Sequence, residues 1–394
     1  MREGWEIKKL GELCELSAGG DVPKNDFSEF PTLEKQVPIY ANGEKNDGLY
    51  GYTSIGKITK PSITVSARGT IGFSVKRLEN FYPIVRLITV TPKDLHILDL
   101  TFLDYAIKGI DFKYSGSSIP QLTIPMIRDY EIPLPSLSEQ KRIVAILDEV
   151  FVAIAKAKAN VVQNLKNANE LFESYLQGMF EITREDWEVK TLREVCQIKP
   201  QKKEARDKLK ETDLVTFLPM EDLGVLNKEI VGVKERQLKD VAGSYTYFAD
   251  NDVLLAKITP CFENGKIGIA RNLINGIGFG SSEYIVFRTH GNIEPEYLYY
   301  FLSRNQIREE GGKYMSGAVG HKRVSKDWIE NYVISFPKSF KAQQIIIQKL
   351  DALSTETKKL ETIYHQKIKN LEELKKSILQ KAFRGELTSR LVLS

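Results

Sequence analysis

Apolar residues follow two rhythms along this chain. In one stretch they recur at alternating spacings of four and three, at Ile143, Leu147, Val150, Ile154, Ala157, Val161, Ala168, Leu171 and Tyr175. The same spacing returns at Ile346, Leu350, Leu353, Leu360, Tyr364, Leu371, Leu374 and Ile378. Heptad stripes this long predict two long helices that pair as a coiled coil. The expected seam is Leu147, Ile154, Val161 and Leu171 against Leu350, Leu353, Leu360, Leu371 and Ile378. Asn164, Thr357 and Lys367 interrupt the stripes and would help fix register. Ser136 with Glu139 forms a capping-box pattern at the start of the first helix. That helix runs about 40 residues, about 60 Å, and ends near Gly178 and Ile182-Thr183. The second runs over about 341–385.

The other rhythm is shorter. Residues 63–66, 85–90, 252–256 and 284–287 read as strands, rich in β-branched and other apolar side chains. Residues 100–108 and 295–304 read as short helices, the second with Pro295 in its first turn. Asn42-Gly43 and Asp47-Gly48 mark turns. The segment 114–122 carries Ser, Gly and Pro and is expected to be an exposed loop.

The chain also repeats itself. Trp5-Glu6-Ile7-Lys8-Lys9-Leu10 through Cys14 returns as Trp187-Glu188-Val189-Lys190-Thr191-Leu192 through Cys196, and Ile132-Pro133-Leu134-Pro135 as Ile334-Ser335-Phe336-Pro337. A solenoid repeat spans about 20–50 residues, far less than this offset. The pattern therefore predicts an α+β protein: two mixed α/β heads joined by two long helices in an antiparallel coiled coil, with pseudo-two-fold internal symmetry. The expected boundaries are 1–136 for the first head, 137–183 for the central helix, 184–338 for the second head and 339–394 for the C-terminal helix.

Composition narrows the class only a little. With 394 residues there is room for two or three domains, and the net charge of +4 permits nucleic-acid binding without requiring it. No signal peptide and no run long enough to span a membrane is seen, which points to a cytoplasmic protein. Cys14, Cys196 and Cys261 are far apart, and the first two, at equivalent repeat positions, are expected to be buried thiols.

Several apparent motifs fail on their chemistry. Gly51 to Ile58 imitates a P-loop, but Ile58 stands where a magnesium-holding Ser or Thr belongs, and Pro61 prevents the following helix. Gly276, Gly278 and Gly280 lack the GxGxxG spacing and are expected to form a glycine-rich turn. Glu139-Gln140-Lys141 after Asp129 imitates a nuclease pattern, yet the second copy has Ala342-Gln343-Gln344, so only the glutamine persists. His96, His290, His321 and His365 show no metal spacing, and no Asp/Asn-Pro-Pro-Tyr/Phe methyltransferase tetrapeptide occurs. No residue is assigned as catalytic or as a metal ligand.

What remains are polar loops whose residue types bond base edges and phosphates. In the first head they offer Tyr40, Asn42, Lys45, Arg68, Thr70, Ser117 and Gln121. In the second they offer Lys257, Thr259, Lys266, Ser281, His321, Lys322 and Arg323. Ordinary solvated loops would have the same composition, so residue type alone leaves the choice open.

Together these features resemble the specificity subunit of a type I restriction-modification system. The Trp-Glu-x-Lys-x-Leu openings, Ser115 to Gln121, Ile132 to Ile143, and Lys257 to Lys266 carry the resemblance. It implies two target-recognition domains, each reading half of a bipartite double-stranded DNA site. It also implies two methyltransferase subunits that use S-adenosylmethionine, and restriction subunits that use ATP and magnesium, with no cofactor in this chain. Gly320-His321-Lys322 stands where the first copy has Pro120-Gln121-Leu122, a departure in the second head. The helices would then act as a ruler between half-sites about 34 Å apart. Three other readings fit the residues: a coiled-coil scaffold with two protein-binding heads, the specificity subunit of a system with fused cutting and methylation, and a degenerate nuclease.

Overall fold

The structure, a computed structural model, describes residues 4–113, 120–181, 184–230, 232, 234–318 and 320–388. The chain divides into two compact units, Met1–Val162 with His365–Ser394, and Gln163–Tyr364. Each holds one head and a stretch of both long helices, Leu137–Glu181 and Phe340–Phe383.

The repeated Trp-Glu-x-Lys motif closes each head. Glu6–Lys9 pairs antiparallel with Glu131–Leu134, and Trp187–Thr191 pairs the same way with Val333–Pro337. The chain thus enters and leaves each head on adjacent strands. Within the first head a four-stranded sheet is ordered Cys14–Ala18, Ile88–Pro92, Ser62–Val65, Ser74–Arg77. Within the second the order is Cys196–Ile198, Tyr284–Thr289, Val253–Ala256, Ile267–Ile269, the same path through the sheet. Each head adds a second sheet holding a parallel pair, Val37–Tyr40 with Tyr82–Pro83 and Leu214–Leu218 with Ile277–Gly280. Cys14 and Cys196 begin equivalent strands at 2% exposure, and burial pushes both thiols up to about 12.

Two expectations about local structure are corrected. Residues 85–90 do not form one strand: Val85 and Arg86 sit at φ 50° and 59°, and the strand starts at Ile88. The glycines expected to turn the chain instead lie largely in Ile277–Gly280, a strand paired on both edges. A Cβ on Gly278 would overlap the Phe248 ring, and one on Gly280 would meet the Leu218 carbonyl. Close packing, rather than turning, requires glycine there.

Gln140 and Gln343 explain why the glutamine persists between the copies. Both are fully buried. Gln140 Nε2 donates to the carbonyls of Ile97 (2.8 Å) and Pro135 (2.9 Å), and its Oε1 accepts from Asp99 N–H (2.8 Å). Gln343 Nε2 donates to Asn292 (3.1 Å) and Pro337 (2.8 Å), and its Oε1 accepts from Glu294 N–H (2.8 Å). Each glutamine ties the first turn of a long helix to the N-terminus of a short helix, Leu100–Lys108 or Pro295–Ser303. A second repeated contact lies further along: Tyr105 donates to Asp148, and Tyr300 to Asp351.

The long helices run antiparallel within each unit. In the first, Lys158 bonds Glu372 (2.8 Å) and Thr388 donates to Glu139, so one helix descends as the other rises. Ser136 caps the first helix, accepting from Glu139 N–H at 3.4 Å. Leu147 and Ile154 are buried, and Leu379 and Ala382 belong to the same core cluster as Leu147. In the second unit Leu176 and Phe180 share a core with Ile346, Ile347 and Leu350. Val161, Leu353, Leu371 and Ile378 are half-buried. Leu171 and Leu360 are corrections: at 66% and 39% exposure they lie off the buried face. The helix period of 3.6 drifts from a strict heptad, and much of each helix's apolar face packs on a head rather than on the other helix. The calls at Ile182-Thr183 fall outside the described residues.

Candidate nucleic-acid interface

In the first head three loops meet through Asn42. Its Nδ2 donates to the Val85 carbonyl (2.6 Å), and its Oδ1 accepts from Ala67 N–H (2.7 Å). Ala67 in turn accepts from Leu122 N–H (3.0 Å). These bonds bring Arg68, Arg86 and Gln121 to one face, and Arg86 Nη1 lies 3.4 Å from Gln121 Oε1. Arg68, Arg86 and Lys45 are exposed, and Gly69 provides a turn at φ 69° beside Arg68. Thr70 is half-buried, with its hydroxyl unpartnered among the described residues. Ser117 and its neighbours 115, 116 and 118 lie outside the described residues.

Tyr40 is corrected out of this face. It is 9% exposed, its hydroxyl donates to Glu79 (2.9 Å), and Arg77 stacks 3.5 Å over its ring. Burial, with Glu79, pushes its phenol up to about 12, so it serves the core. Asn42 is likewise a builder of the face, because both ends of its amide are committed to backbone.

In the second head the corresponding loops are joined by backbone. Thr259 N–H donates to Lys322 O (2.9 Å), and Val324 N–H to Lys257 O (2.9 Å). Lys257, Thr259, Lys322, Arg323 and the Ser281–Glu283 turn are thereby brought together. Arg323 makes a two-pronged pair with Glu283 at 2.9 and 2.8 Å, which pulls the Glu283 carboxyl below its usual range. Thr259 Oγ1 donates to Glu263 (2.8 Å), and Ser281 Oγ accepts from Glu283 N–H (3.2 Å). His321 and Lys322 are exposed. Lys266 is a second correction: its ammonium donates to the carbonyls of Met220 (2.7 Å) and Glu221 (3.3 Å), so it closes a loop rather than facing outward.

A basic cleft of about 450 Å³ adjoins this face. Lys199, Lys202, Lys203 and Lys257 line it, with the hydroxyl-bearing Ser244, Thr246 and Ser282. Burial lowers the Lys257 ammonium, and Lys199 and Arg323 lower it further against the pull of Glu283. Burial likewise lowers Lys202, reinforced by Arg206 and Lys199. Like charges held this close leave positive potential that a bound anion would relieve. Lys199, Lys202 and Lys203 were not among the sequence candidates. Their signal was the basic run after Cys196, legible only once the strand placed it beside Lys257.

The position of the short helices also corrects the alignment of the copies. Ile124–Arg128 and Lys326–Glu330 are equivalent, and Leu122 N–H and Val324 N–H make matching bonds to Ala67 and Lys257. Arg323, rather than His321, is therefore the counterpart of Gln121.

Two heads of one topology, each with its own polar loop face and each joined to a pair of long helices, define a two-headed α+β protein. The family described as Type I restriction modification DNA specificity domain matches residues 2–164 and again 184–372, and the chain belongs to it. It is 34% identical over 173 residues to a putative type I specificity subunit of Mycoplasma pneumoniae, 44% of this chain and 51% of that protein. It is 35% identical over 207 residues to the EcoAI specificity subunit of Escherichia coli, 51% of this chain and 34% of that protein. The chain thus spans about half the length, or less, of these curated relatives. A chain from a structural study of type I R-M complex assembly and conformational transition superposes with TM-score 0.75 at 18% identity, covering 98% of this chain and 99% of that one. The HsdS subunit from Thermoanaerobacter tengcongensis superposes at 0.56, also at 18% identity, covering 98% of each. These likenesses carry the fold. Among the described residues no helix is long and apolar enough to cross a membrane, and no group of three or more His, Cys, Asp or Glu is placed to hold a metal.

Proposed function

We propose that this chain recognises a bipartite double-stranded DNA site, one half per head, and directs partner subunits to it without catalysing a reaction itself. The observation that supports this best is the pairing of one architecture with two different polar faces. Equivalent loops carry Arg68, Arg86 and Gln121 in one head, and Lys257, Glu283, Lys322 and Arg323 in the other. A reader of an asymmetric site needs unlike faces. Unlike faces also fit a scaffold whose two heads bind different proteins, and salt-dependent binding of duplex DNA separates the two readings. The neighbour studied for type I R-M complex assembly supports association with other subunits. We propose that these are two methyltransferase subunits, using S-adenosylmethionine, and restriction subunits, using ATP and magnesium. The site of action would be the cytoplasm.

The test is selection from a randomised duplex library by the full-length chain, followed by incubation of the selected DNA with magnesium, ATP and S-adenosylmethionine. The expected product is a site of two separated elements, bound but neither cut nor methylated. Exchanging residues 184–338 for those of a relative should change one element only. A single contiguous element, a change in both elements, or methyl transfer by the pure chain would sink the reading.

The basic cleft gives a second expected result. Lys202→Ala with Lys203→Ala should weaken binding to all sequences alike. Each lost phosphate contact should reduce the slope of log affinity against log salt by about 1. Anisotropy titrations at several salt concentrations would read this. An unchanged slope would remove the cleft from the DNA path.

A further inference from the structure

Counting rungs from the repeated cysteines shows which loop residues are equivalent. Cys14 pairs with Pro92 and Cys196 with Thr289. Four residues earlier on the second strand, Ile88 pairs with Val65, and Ile285 with Leu255. Two residues before these rungs stand Arg86 and Glu283. On the opposite loop, the residue two before each helix-starting Thr123 or Ser325 is Gln121 or Arg323. The contact between Arg86 and Gln121 and the contact between Glu283 and Arg323 therefore occupy the same place in the two heads. Each pair contains one guanidinium, supplied from opposite sides.

The second-head pair leaves its arginine poised. Arg323 Nε and Nη2 donate to the two Glu283 oxygens, and Nη1 donates to the His321 carbonyl at 3.0 Å. A guanidinium has five N–H groups. Three are used, and one remains on each Nη, the two nitrogens that make up its end-on edge. That edge presents two parallel donors, the match for guanine N7 and O6 in the major groove. The side chain is 45% exposed, so the edge is reachable. In the first head the turn bearing Arg86 is fixed in left-handed backbone, which a β-branched residue such as Val85 adopts only under constraint. The constraint is visible: Val85 and Arg86 N–H donate to Gly20 and Gly19, Asn42 holds the Val85 carbonyl, and a Cβ on Gly19 would collide with the Pro83–Ile84 backbone.

We propose that this pair is the base-reading position of each head, with Arg86 and Arg323 each reading a guanine in its own half-site. The proposal rests on the DNA reading above. A plain surface ion pair would be dispensable at Arg323, and the variants separate the two cases. The full-length chain, and its R86K, R323K and R323A forms, are passed through the randomised duplex selection. Lysine keeps the charge but cannot present two parallel donors. R323K should lose preference for one guanine in one element, about 10- to 100-fold, with the other element intact. R86K should do the converse. E283Q, which loosens the buttress, should relax the same guanine as R323K by a smaller factor. If the unaltered chain selects two elements and both R323K and R323A still select the same bases, this assignment is overturned while the DNA reading stands. If the unaltered chain selects no two-element site, both fall.

Discussion

Arg288→Met should cost the second unit about 3–5 kcal/mol, the size expected when a buried ion pair loses one partner. Asp252 is 1% exposed, and Arg288 meets both of its oxygens at 2.8 and 2.7 Å. The third arm of Arg288 reaches Glu204 (2.5 Å), which also accepts from Tyr247 (3.2 Å). Methionine fills the space but leaves Asp252 buried without a countercharge. Its carboxyl is already raised, because burial outweighs the pull of Arg288. Without Arg288 it should rise further. A carboxyl raised in the folded state binds its proton more tightly there than when unfolded. The variant should therefore be most stable below the ordinary Asp value of 3.8 and lose stability as pH rises through the raised value. Hydrogen exchange on Val253–Ala256 from acid to neutral pH would report this. Adding Asp252→Asn should recover much of the loss at neutral pH. A pH-independent loss below about 1 kcal/mol would show that the network is not the brace described here. Because Glu204 belongs to Lys203–Lys208, which borders the basic cleft, the same variant should also weaken binding there.

Gln140→Leu and Gln343→Leu should each cost about 3 kcal/mol or more. Leucine has similar bulk, but it strands two carbonyls and one N–H in a dry setting, each costing about 1–3 kcal/mol if nothing replaces the bond. The two losses should be alike, because the bonds are alike. They should also stay local: Gln140→Leu should speed exchange at the start of the helix Leu137–Glu181, and Gln343→Leu at the start of Phe340–Phe383. A loss under 1 kcal/mol in either would mean that water or a shifted backbone takes over the glutamine's bonds.

Long-period features were legible in the sequence. The repeat of Trp-Glu-x-Lys, the short helices at 100–108 and 295–304, and the two long helices all declared themselves, because periodicity and turn chemistry are local, whereas the strand character of the repeated segments came only with the structure. Gln140 could be seen to persist, but its role could not, since its partners near residue 97 come from another segment. The polar faces were only half legible. Arg68, Lys322 and Arg323 are exposed as expected, whereas Tyr40 and Lys266 have the right chemistry and the wrong orientation. Side-chain direction depends on which loop packs beside which. That is why Arg86, hidden inside an apparent strand at 85–90, was missed. Its turn exists because Gly19 and Gly20 accept bonds from it, far upstream.

The division of the long helices between the units bears on synthesis. The second unit is one continuous stretch, Gln163–Tyr364, whereas the first needs residues from 365 onward. Thr388 and Glu139, which meet in the first unit, are 249 residues apart in the chain. A nascent chain leaving the ribosome at about 5–20 residues per second carries the first head for many seconds before Leu379 and Ala382 arrive to cover its core. During that wait the surface those late residues cover, including Phe102 beneath Phe383 and Gly109 beside Leu379, stands open to aggregation or to a chaperone. The half that is translated first is the half that matures last.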